Sequence, residues 1–215
     1  MRGDFTMRLP GSGCSPDFPE PRHVISRDQV RFHRCAAPCR QIIDVPEYHF
    51  DDIRNVDHVL DIGANVGAFC LRAARFSRHV VAVEPVTTDI LEENVALNHA
   101  GVLVIKGALG AGEPVEIVWD ECRVMSPTYS LKKIIGMSGV CDFLKCDCEG
   151  AEWLIQPRDL DGIRRIEMEL HIPPISGSPN PALLEYIGNR YTFSLDRSPV
   201  NSALGVMGIL HATLK

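Results

Sequence analysis

Two carboxylate residues lie at the ends of buried apolar segments, where parallel sheets bind ligands. Asp61 is near the end of a predicted strand, His58–Ile62, and Glu84 ends the next predicted strand, His79–Glu84. Because open α/β sheets bind ligands outside the carboxyl ends of their strands, both acids are expected at one binding edge. Asp61 can accept a hydrogen bond from an ammonium group, and Glu84 can bridge two ribose hydroxyls. Together they indicate a nucleoside ligand with an ammonium end.

A glycine-containing turn follows the first of these strands. Gly63 and Gly67 allow the backbone to turn tightly and to approach a ligand closely. A dinucleotide fingerprint would need glycine at positions 63, 65 and 68, where the chain has Gly63, Asn65 and Ala68. The phosphate-loop motif G-x-x-x-x-G-K-[ST] does not occur in the sequence either. A ligand without a pyrophosphate group is therefore favoured over a nicotinamide dinucleotide.

A second group of ionisable residues follows two later strands. Asp147 and Glu149 come after the predicted strand Cys141–Cys146, and His171 comes after the predicted strand Ile163–Leu170. These are the candidate catalytic residues, since acids can orient or deprotonate an acceptor hydroxyl and His171 is the candidate base near neutral pH. The acids could also hold a hard cation such as Mg²⁺, although the spacing predicts no dedicated metal site. Helix capping and a hydrogen-bonded core histidine are the structural alternatives.

Strands and helices alternate from residue 58 onward, as in an open, doubly wound α/β sheet. The last two predicted strands have no helix between them, so we expect a C-terminal antiparallel hairpin. The sequence thus predicts a mostly parallel, seven-stranded, Rossmann-like sheet. The strands of this sheet are predicted at His58–Ile62, His79–Glu84, Val102–Lys106, Cys141–Cys146, Ile163–Leu170, Tyr191–Leu195 and Gly205–Leu214.

The 215-residue chain divides into three predicted parts. Residues 1–21 are rich in Gly, Pro and Ser, have no apolar signal-peptide centre and are expected to form a flexible leader. Residues 22–50 form an extension with a hairpin between Gln29–His33 and Arg40–Val45, and residues 51–215 form the main domain. No apolar run reaches the roughly 20 residues that span a bilayer, which favours a cytoplasmic protein.

Composition narrows the class of partner. The net charge is −6, so no general basic field attracts nucleic acid or an anionic membrane. Eight cysteines in a chain without an export signal are expected to be reduced thiols. Cys35 and Cys39 form a pair that lacks the third nearby cysteine expected for a cluster site.

Several motifs, taken in order, resemble those of the FkbM-type methyltransferases. The resemblance covers about residues 55–172, and its most specific part is the segment Lys145–Glu152. One departure is Lys132, which stands where the family has an acid in a T-L-D-x-L stretch, so the acceptor-facing loop is expected to differ. The matching segments are Val59–Gly67 (with D-x-G-A-N-x-G), Val80–Pro85, Asn94–Asn98, Asp142–Glu152 (D-F-L-K-C-D-C-E-G-A-E) and Ile166–His171.

This resemblance implies a class I methyltransferase fold with S-adenosylmethionine as cofactor. The implied reaction is O-methylation of a hydroxyl on a sugar, lipid or other small molecule, with the methyl group pointing toward Asp147, Glu149 and His171. The alternatives are an RNA or protein N-methyltransferase on the same fold, and a non-catalytic module that binds the cofactor. The residues expected to contact the cofactor are Asp61, Gly63, Ala64, Asn65, Gly67, Glu84, Pro85, Ala108 and Leu109.

Overall fold

A computed structural model describes residues 23–33, 43–45, 47–119, 122–171, 179–197 and 205–215. The predicted leader, residues 1–21, and the pair Cys35 and Cys39 lie outside these stretches. The cysteines whose thiols are described are free, namely Cys70, Cys141, Cys146 and Cys148. Within the same stretches, none of the helices has the length and hydropathy needed to cross a membrane.

Regular elements begin and end close to the predicted positions, and the core strands deviate by at most two residues at either end. The α-helices are α1 (Ala68–Ala73), α2 (Thr88–Leu97), α3 (Leu131–Ser138) and α4 (Pro181–Arg190), and 3₁₀ turns cover Ala151–Leu154 and Pro157–Leu160. The strands are β1 (His23–Ile25), β2 (Arg31–His33), β3 (His58–Ile62), β4 (His79–Glu84), β5 (Val102–Lys106), β6 (Ala108–Leu109), β7 (Val115–Trp119), β8 (Cys122–Ser126), β9 (Thr128–Tyr129), β10 (Phe143–Cys146), β11 (Arg165–His171), β12 (Tyr191–Asp196) and β13 (Val206–Leu214).

The central sheet has seven strands in the order β12–β13–β11–β10–β3–β4–β5. Neighbouring strands from β5 to β11 are parallel, whereas β13 runs antiparallel to both β11 and β12. The predicted mostly parallel sheet and its terminal hairpin therefore agree with the structure. The chain winds outward from β3 through β4 and β5, then returns to β10 beside β3. Ligands bind at such a reversal of strand order, so the crevice between β3 and β10 is the expected site.

Apolar layers cover both faces of the sheet. On one face, Phe69 of α1 and Leu91 of α2 pack with Phe32 of β2. On the other face, Ile134 of α3 and Leu183 of α4 pack on the sheet in a second cluster. Burial on both faces explains why the interiors of β3, β4 and β10 are apolar apart from Asp61 and Lys145, rather than alternating.

The N-terminal extension forms a hairpin, but its strands differ from those predicted. β1 pairs antiparallel with β2, and residues 43–45 of the second predicted strand form no strand. The hairpin is fixed to α2 by two asparagines: Asn94 Oδ1 accepts the His33 N–H at 2.6 Å, and Asn98 exchanges hydrogen bonds with the backbone of Arg31. Asn94 is itself buried and donates to the Val66 carbonyl at 2.8 Å. The Asn94–Asn98 motif therefore docks the extension onto the domain.

The turn after β3 and the turn after β10 approach each other closely at the reversal of strand order. Gly63 has a φ of +73°, and a Cβ atom at this position would lie 1.7 Å from the Asp147 carbonyl oxygen. The Asp147 N–H donates to the Ile62 carbonyl at 3.0 Å, which holds the two turns together. Only glycine satisfies both the backbone conformation and the close approach at this position.

Replacing this glycine tests the close approach. The Gly63→Ala variant is expected to lose more than about 3 kcal/mol of unfolding free energy, because a backbone oxygen cannot move aside as a side chain can. Gly101→Ala is the matched control, since no atom lies within 4 Å of its added Cβ, and it should change stability by less than about 0.5 kcal/mol. Urea denaturation of both variants measures the difference, and equal stability would contradict the described turn.

Candidate functional site

A cavity of about 630 Å³ lies at the carboxyl ends of β3, β4 and β10. Its volume is within the range of small-molecule and cofactor sites. The wall includes eight residues predicted from the sequence: Gly63, Asn65, Glu84, Pro85, Ala108, Leu109, Asp147 and Glu149. The other four predicted residues do not line it, and these are Asp61, Ala64, Gly67 and His171.

The glycine turn forms the wall of the cavity beside β3. The N–H groups of Gly63 and Ala64 donate to the Val83 carbonyl at 3.0 and 3.2 Å, which ties the turn to β4. Ala64 and Gly67 are buried, and Gly67 has a φ of +94° where it leads into α1. These two residues shape the turn, whereas Asn65 faces the cavity.

Asp61 is fully buried behind this turn and faces a lysine rather than the cavity. Its carboxylate accepts the Cys70 N–H at 3.1 Å and lies 3.2 Å from the Lys145 ammonium group. Burial raises the pKa of Asp61, and Lys145 counteracts this effect. Burial would also lower the pKa of Lys145, but Asp61 and Asp147 outweigh it and raise that pKa. The Asp61 carboxylate is thus paired with the Lys145 ammonium group inside the protein, where the sequence predicted a ligand ammonium group.

Lys145 connects the two turns at the reversal of strand order. Its ammonium group donates to the Gly63 carbonyl at 2.8 Å and lies 3.6 Å from the Asp147 carboxylate. The ring of Tyr48 lies below it, with the ammonium nitrogen 5.4 Å from the ring centroid. Lys145 was not among the predicted site residues, although a charged residue inside the otherwise apolar strand β10 was a visible signal.

Glu84 lines the cavity, and backbone groups fix its carboxylate. One oxygen accepts the Asn65 N–H at 2.8 Å, and the other accepts the N–H groups of Val86 and Thr87 at 2.7 and 3.1 Å. The carboxylate therefore caps the start of α2, where the Thr87 side chain makes no capping bond. It also joins the glycine turn to the end of β4 and retains an acceptor position for a ligand.

Asp147 and Glu149 form the opposite, acidic wall of the cavity. The Asp147 carboxylate accepts the hydroxyl of Tyr48 at 3.1 Å, and its side chain is 28% exposed. Glu149 is about half exposed and has a left-handed backbone φ of 54°. Tyr48 belongs to the predicted extension, so motif spacing within the main domain carried no signal for it. The two candidate catalytic acids therefore meet the cavity as predicted.

His171 lies behind these acids and is clamped by carboxylates on both ring nitrogens. Nδ1 lies 3.1 Å from the buried Glu152 carboxylate, and Nε2 lies 3.3 Å from Glu149. Burial favours the neutral ring, but the hydrogen bonds to Glu149 and Glu152 outweigh it and raise the pKa of His171 to about 10. The sequence predicted a base near neutral pH at His171, whereas these carboxylates favour the protonated imidazole there.

The pKa near neutral pH that was expected for His171 belongs instead to Glu169. Burial, reinforced by the neighbouring Asp147 and opposed by His171, raises the pKa of Glu169 to about 7. The Tyr48 hydroxyl lies 3.4 Å from its carboxylate and 3.1 Å from that of Asp147. A carboxyl group with a pKa near neutral pH can both accept and release a proton, which suits acid–base chemistry.

A second cluster of histidines and acid lies further along β11 and β13. Glu167 accepts a hydrogen bond at 2.6 Å from Nδ1 of His211, and the His49 ring stacks on the His211 ring at 4.2 Å. The guanidinium of Arg165 forms an ion pair with Glu167 and lies 3.2 Å from His49 Nδ1. This cluster therefore already contains a permanent cation, and it does not line the cavity.

Comparisons with known proteins place the fold. No protein-family profile matches the sequence, and no curated protein matches it significantly. Among solved structures, TYW2 from M. jannaschii in complex with AdoMet aligns over 91% of this chain and 87% of that chain, with a TM-score of 0.53 and 15% identity. Trm5b from Pyrococcus abyssi aligns over 95% of this chain, with a TM-score of 0.51 and 16% identity.

The aligned structures differ in length from this chain. The chain spans 62% of the length of Trm5b and 58% of a dimethyladenosine transferase from Plasmodium falciparum, to which it is 11% identical with a TM-score of 0.49 over 77% of this chain. Identities this low establish a shared fold and no more. The protein shares the Rossmann-like fold of TYW2 and Trm5b, and a Rossmann-like sheet was predicted.

The buried pair of Asp61 and Lys145 can be tested by stability. Lys145→Met is expected to cost about 3–5 kcal/mol of unfolding free energy, because it leaves the buried Asp61 carboxylate without its cation. Asp61→Asn combined with Lys145→Met should cost less than the sum of the two single changes. Urea denaturation of the three variants measures the coupling, and strictly additive losses would show that the two side chains do not interact.

The protonation state of His171 can be tested by titration. Because its pKa is raised to about 10, the ring carbons should show no titration through the neutral range in ¹H–¹³C NMR spectra. The stabilising effect of the protonated ring is fully present below the unfolded-state pKa of about 6.5 and disappears as the pH rises through about 10. The His171→Asn variant assigns the resonance, and a midpoint near neutral pH would contradict the carboxylate clamp.

Proposed function

We propose that the protein is an S-adenosylmethionine-dependent methyltransferase that transfers the methyl group to a hydroxyl of a small molecule. The observation that carries this proposal is the cavity at the reversal of strand order, with Glu84 on one wall and Asp147 and Glu149 on the other. Two acidic walls suit a cofactor with ribose hydroxyls at one end and a positively charged sulfonium near the other. The FkbM-type assignment, supported by the Lys145–Glu152 motif, is part of the same proposal.

The walls match the chemical parts of this cofactor. Glu84 faces the cavity and accepts a ribose hydroxyl at its remaining acceptor position, as strand-end acids do in related folds. Pro85 follows Glu84 on this wall, and Ala108 and Leu109 supply apolar cover and backbone polar groups for the adenine. The backbone of Gly63 and Asn65 borders the methionyl portion. Asp61 acts indirectly, since it holds Lys145, which in turn fixes the Gly63 carbonyl.

Methyl transfer requires little covalent chemistry from the protein. The carbon–sulfur bond breaks with its electron pair remaining on sulfur, while a carbon–oxygen bond forms to the acceptor. The hydroxyl proton passes to the carboxylate network of Asp147 and Glu169, which share the Tyr48 hydroxyl. Because the sulfonium is already activated, alignment of the two reactants and exclusion of water provide most of the acceleration.

The charge of the cavity favours a small, uncharged or cationic acceptor over RNA. Among the residues that line the cavity in the described part of the chain there are five carboxylates and no Lys, Arg or His. Such a wall repels phosphate groups, which RNA-binding sites neutralise with basic side chains. Apolar residues at the mouth, among them Val115, Val118 and Leu154, suit an acceptor with an apolar portion. The acidic cavity therefore favours O-methylation of a small molecule, and RNA or protein N-methylation is the alternative function.

Calorimetric titration with S-adenosylhomocysteine tests the cofactor assignment. The unmodified protein should bind this product, and Glu84→Gln should weaken binding about 10- to 100-fold, because a charge-assisted hydrogen bond to the ribose is lost. Glu92→Gln removes the same charge from the exposed face of α2 and should leave binding unchanged.

Two outcomes would contradict the proposal. A folded protein that binds no S-adenosylhomocysteine would exclude the cofactor, and a protein that binds NADH instead would assign a dinucleotide site. The non-catalytic alternative would be favoured by a different pair of results. The protein would bind S-adenosylhomocysteine, but it would produce none from S-adenosylmethionine with any of a panel of hydroxylated acceptors. Labelled RNA that binds with a steep salt dependence would favour the RNA alternative.

A further inference from the structure

We propose that Asp147, Glu149 and His171 form a binding site for one divalent transition-metal ion at the acidic wall of the cavity. Each of these residues contributes one ligand atom, and the three atoms lie within 4.8 Å of one another. An ion placed between them would reach all three donors at ordinary coordination distances of about 2.0–2.2 Å after small side-chain adjustments. Asp147 and Glu149 border the cavity, so the ion would be accessible to a ligand.

The orientation of His171 is that of a metal-binding histidine. Its Nε2 atom points toward Glu149 at 3.3 Å and toward Glu169 at 3.8 Å. Its Nδ1 atom is held at 3.1 Å by Glu152, whose side chain is completely buried. A carboxylate on the far nitrogen fixes the ring and makes the near nitrogen a better ligand, and this arrangement is usual behind metal-binding histidines.

Further hydrogen bonds hold Glu152 and His171 in place. The Glu152 carboxylate also accepts the His171 N–H at 2.7 Å and the Gly150 N–H at 2.8 Å. The indole N–H of Trp153 donates to the His171 carbonyl at 2.9 Å. The histidine is therefore fixed at both its ring and its backbone, whereas Glu149 is about half exposed and contacts the ring at Nε2.

The donor set selects the class of ion. One imidazole nitrogen with two carboxylates suits Mn²⁺, Fe²⁺ or Zn²⁺. Mg²⁺, which the acids alone suggested, prefers an all-oxygen shell and retains several waters. The second cluster, around Glu167 and His49, has comparable residues but contains the Arg165 guanidinium, which repels a dication. The Lys145 ammonium group lies 3.6 Å from the Asp147 carboxylate, but its charge is balanced by the buried Asp61 and it also donates to the Gly63 carbonyl.

The ion would have a role in the proposed methyl transfer, and this part of the inference rests on that function. An acceptor hydroxyl bound to the ion becomes more acidic and is oriented beside the cofactor. Coordination by His171 would release its Nε2 proton to solvent, so the ring would serve as a ligand and the ion would activate the acceptor hydroxyl. An acceptor with adjacent oxygen atoms, which can chelate the ion, is the chemical class that fits.

Binding of Mn²⁺ to the cofactor-free protein, followed by electron paramagnetic resonance, tests the site directly. One equivalent of Mn²⁺ should bind and should show nitrogen hyperfine coupling from a single imidazole. Glu149→Gln should weaken binding about 10- to 100-fold. Because Glu149 is about half exposed, this variant is expected to fold like the unmodified protein. Glu116→Gln is the matched control, because it changes another carboxylate of the cavity wall outside the cluster.

The remaining measurements identify the ligands. His171→Asn should abolish the nitrogen coupling, and Zn²⁺ should displace Mn²⁺ from the same site. His49→Ala, which removes a residue of the second cluster, should leave binding intact. Loss of binding in His49→Ala, absence of nitrogen coupling, or no binding of either ion would overturn the proposal. Titration with S-adenosylhomocysteine is independent of these measurements, so failure of the metal site and failure of the cofactor assignment are distinguishable.

Discussion

The buried ion pair between Asp61 and Lys145 is the interaction on which the site depends. It joins β3 to β10, the two strands between which the order of the sheet reverses, and Lys145 also binds the carbonyl of Gly63. A buried ion pair contributes little net stability, because desolvation offsets much of the attraction. The ion pair instead fixes geometry. It holds two strands that are distant in sequence in the register at which their turns nearly touch. The cavity exists because those turns are held there.

The acidic wall shows how a fold can concentrate charge of one sign without unfolding. Asp147, Glu149, Glu152 and Glu169 surround His171, and burial makes every uncompensated charge costly. Bound protons and hydrogen bonds relieve part of this cost, as the raised pKa values of His171 and Glu169 indicate. Such a region binds cations in preference to anions, whether the cation is a sulfonium or a metal ion.

Much of the fold was predictable because each core strand is a short apolar segment bounded by polar turns. Asp61 and Glu84 were recognisable for the same reason, since they stand at strand ends. The role of Asp61 was not predictable, because a carboxylate selects its partner by distance in space, and Lys145 is distant in sequence. The charge of His171 depends in the same way on Glu152, which the pattern of β11 does not reveal.

Chain order in the sheet affects how the site assembles. β11, which ends in His171, has β10 on one side and β13 on the other, and β13 follows all six other strands of the sheet in the sequence. While the chain is being synthesised, the edge of β11 stays open until β13 has emerged and inserted between β11 and β12. Open strand edges pair readily with other chains. The strand that ends in His171 is thus among the last of the sheet to gain both of its neighbours, and its edge is available for pairing with other chains until then.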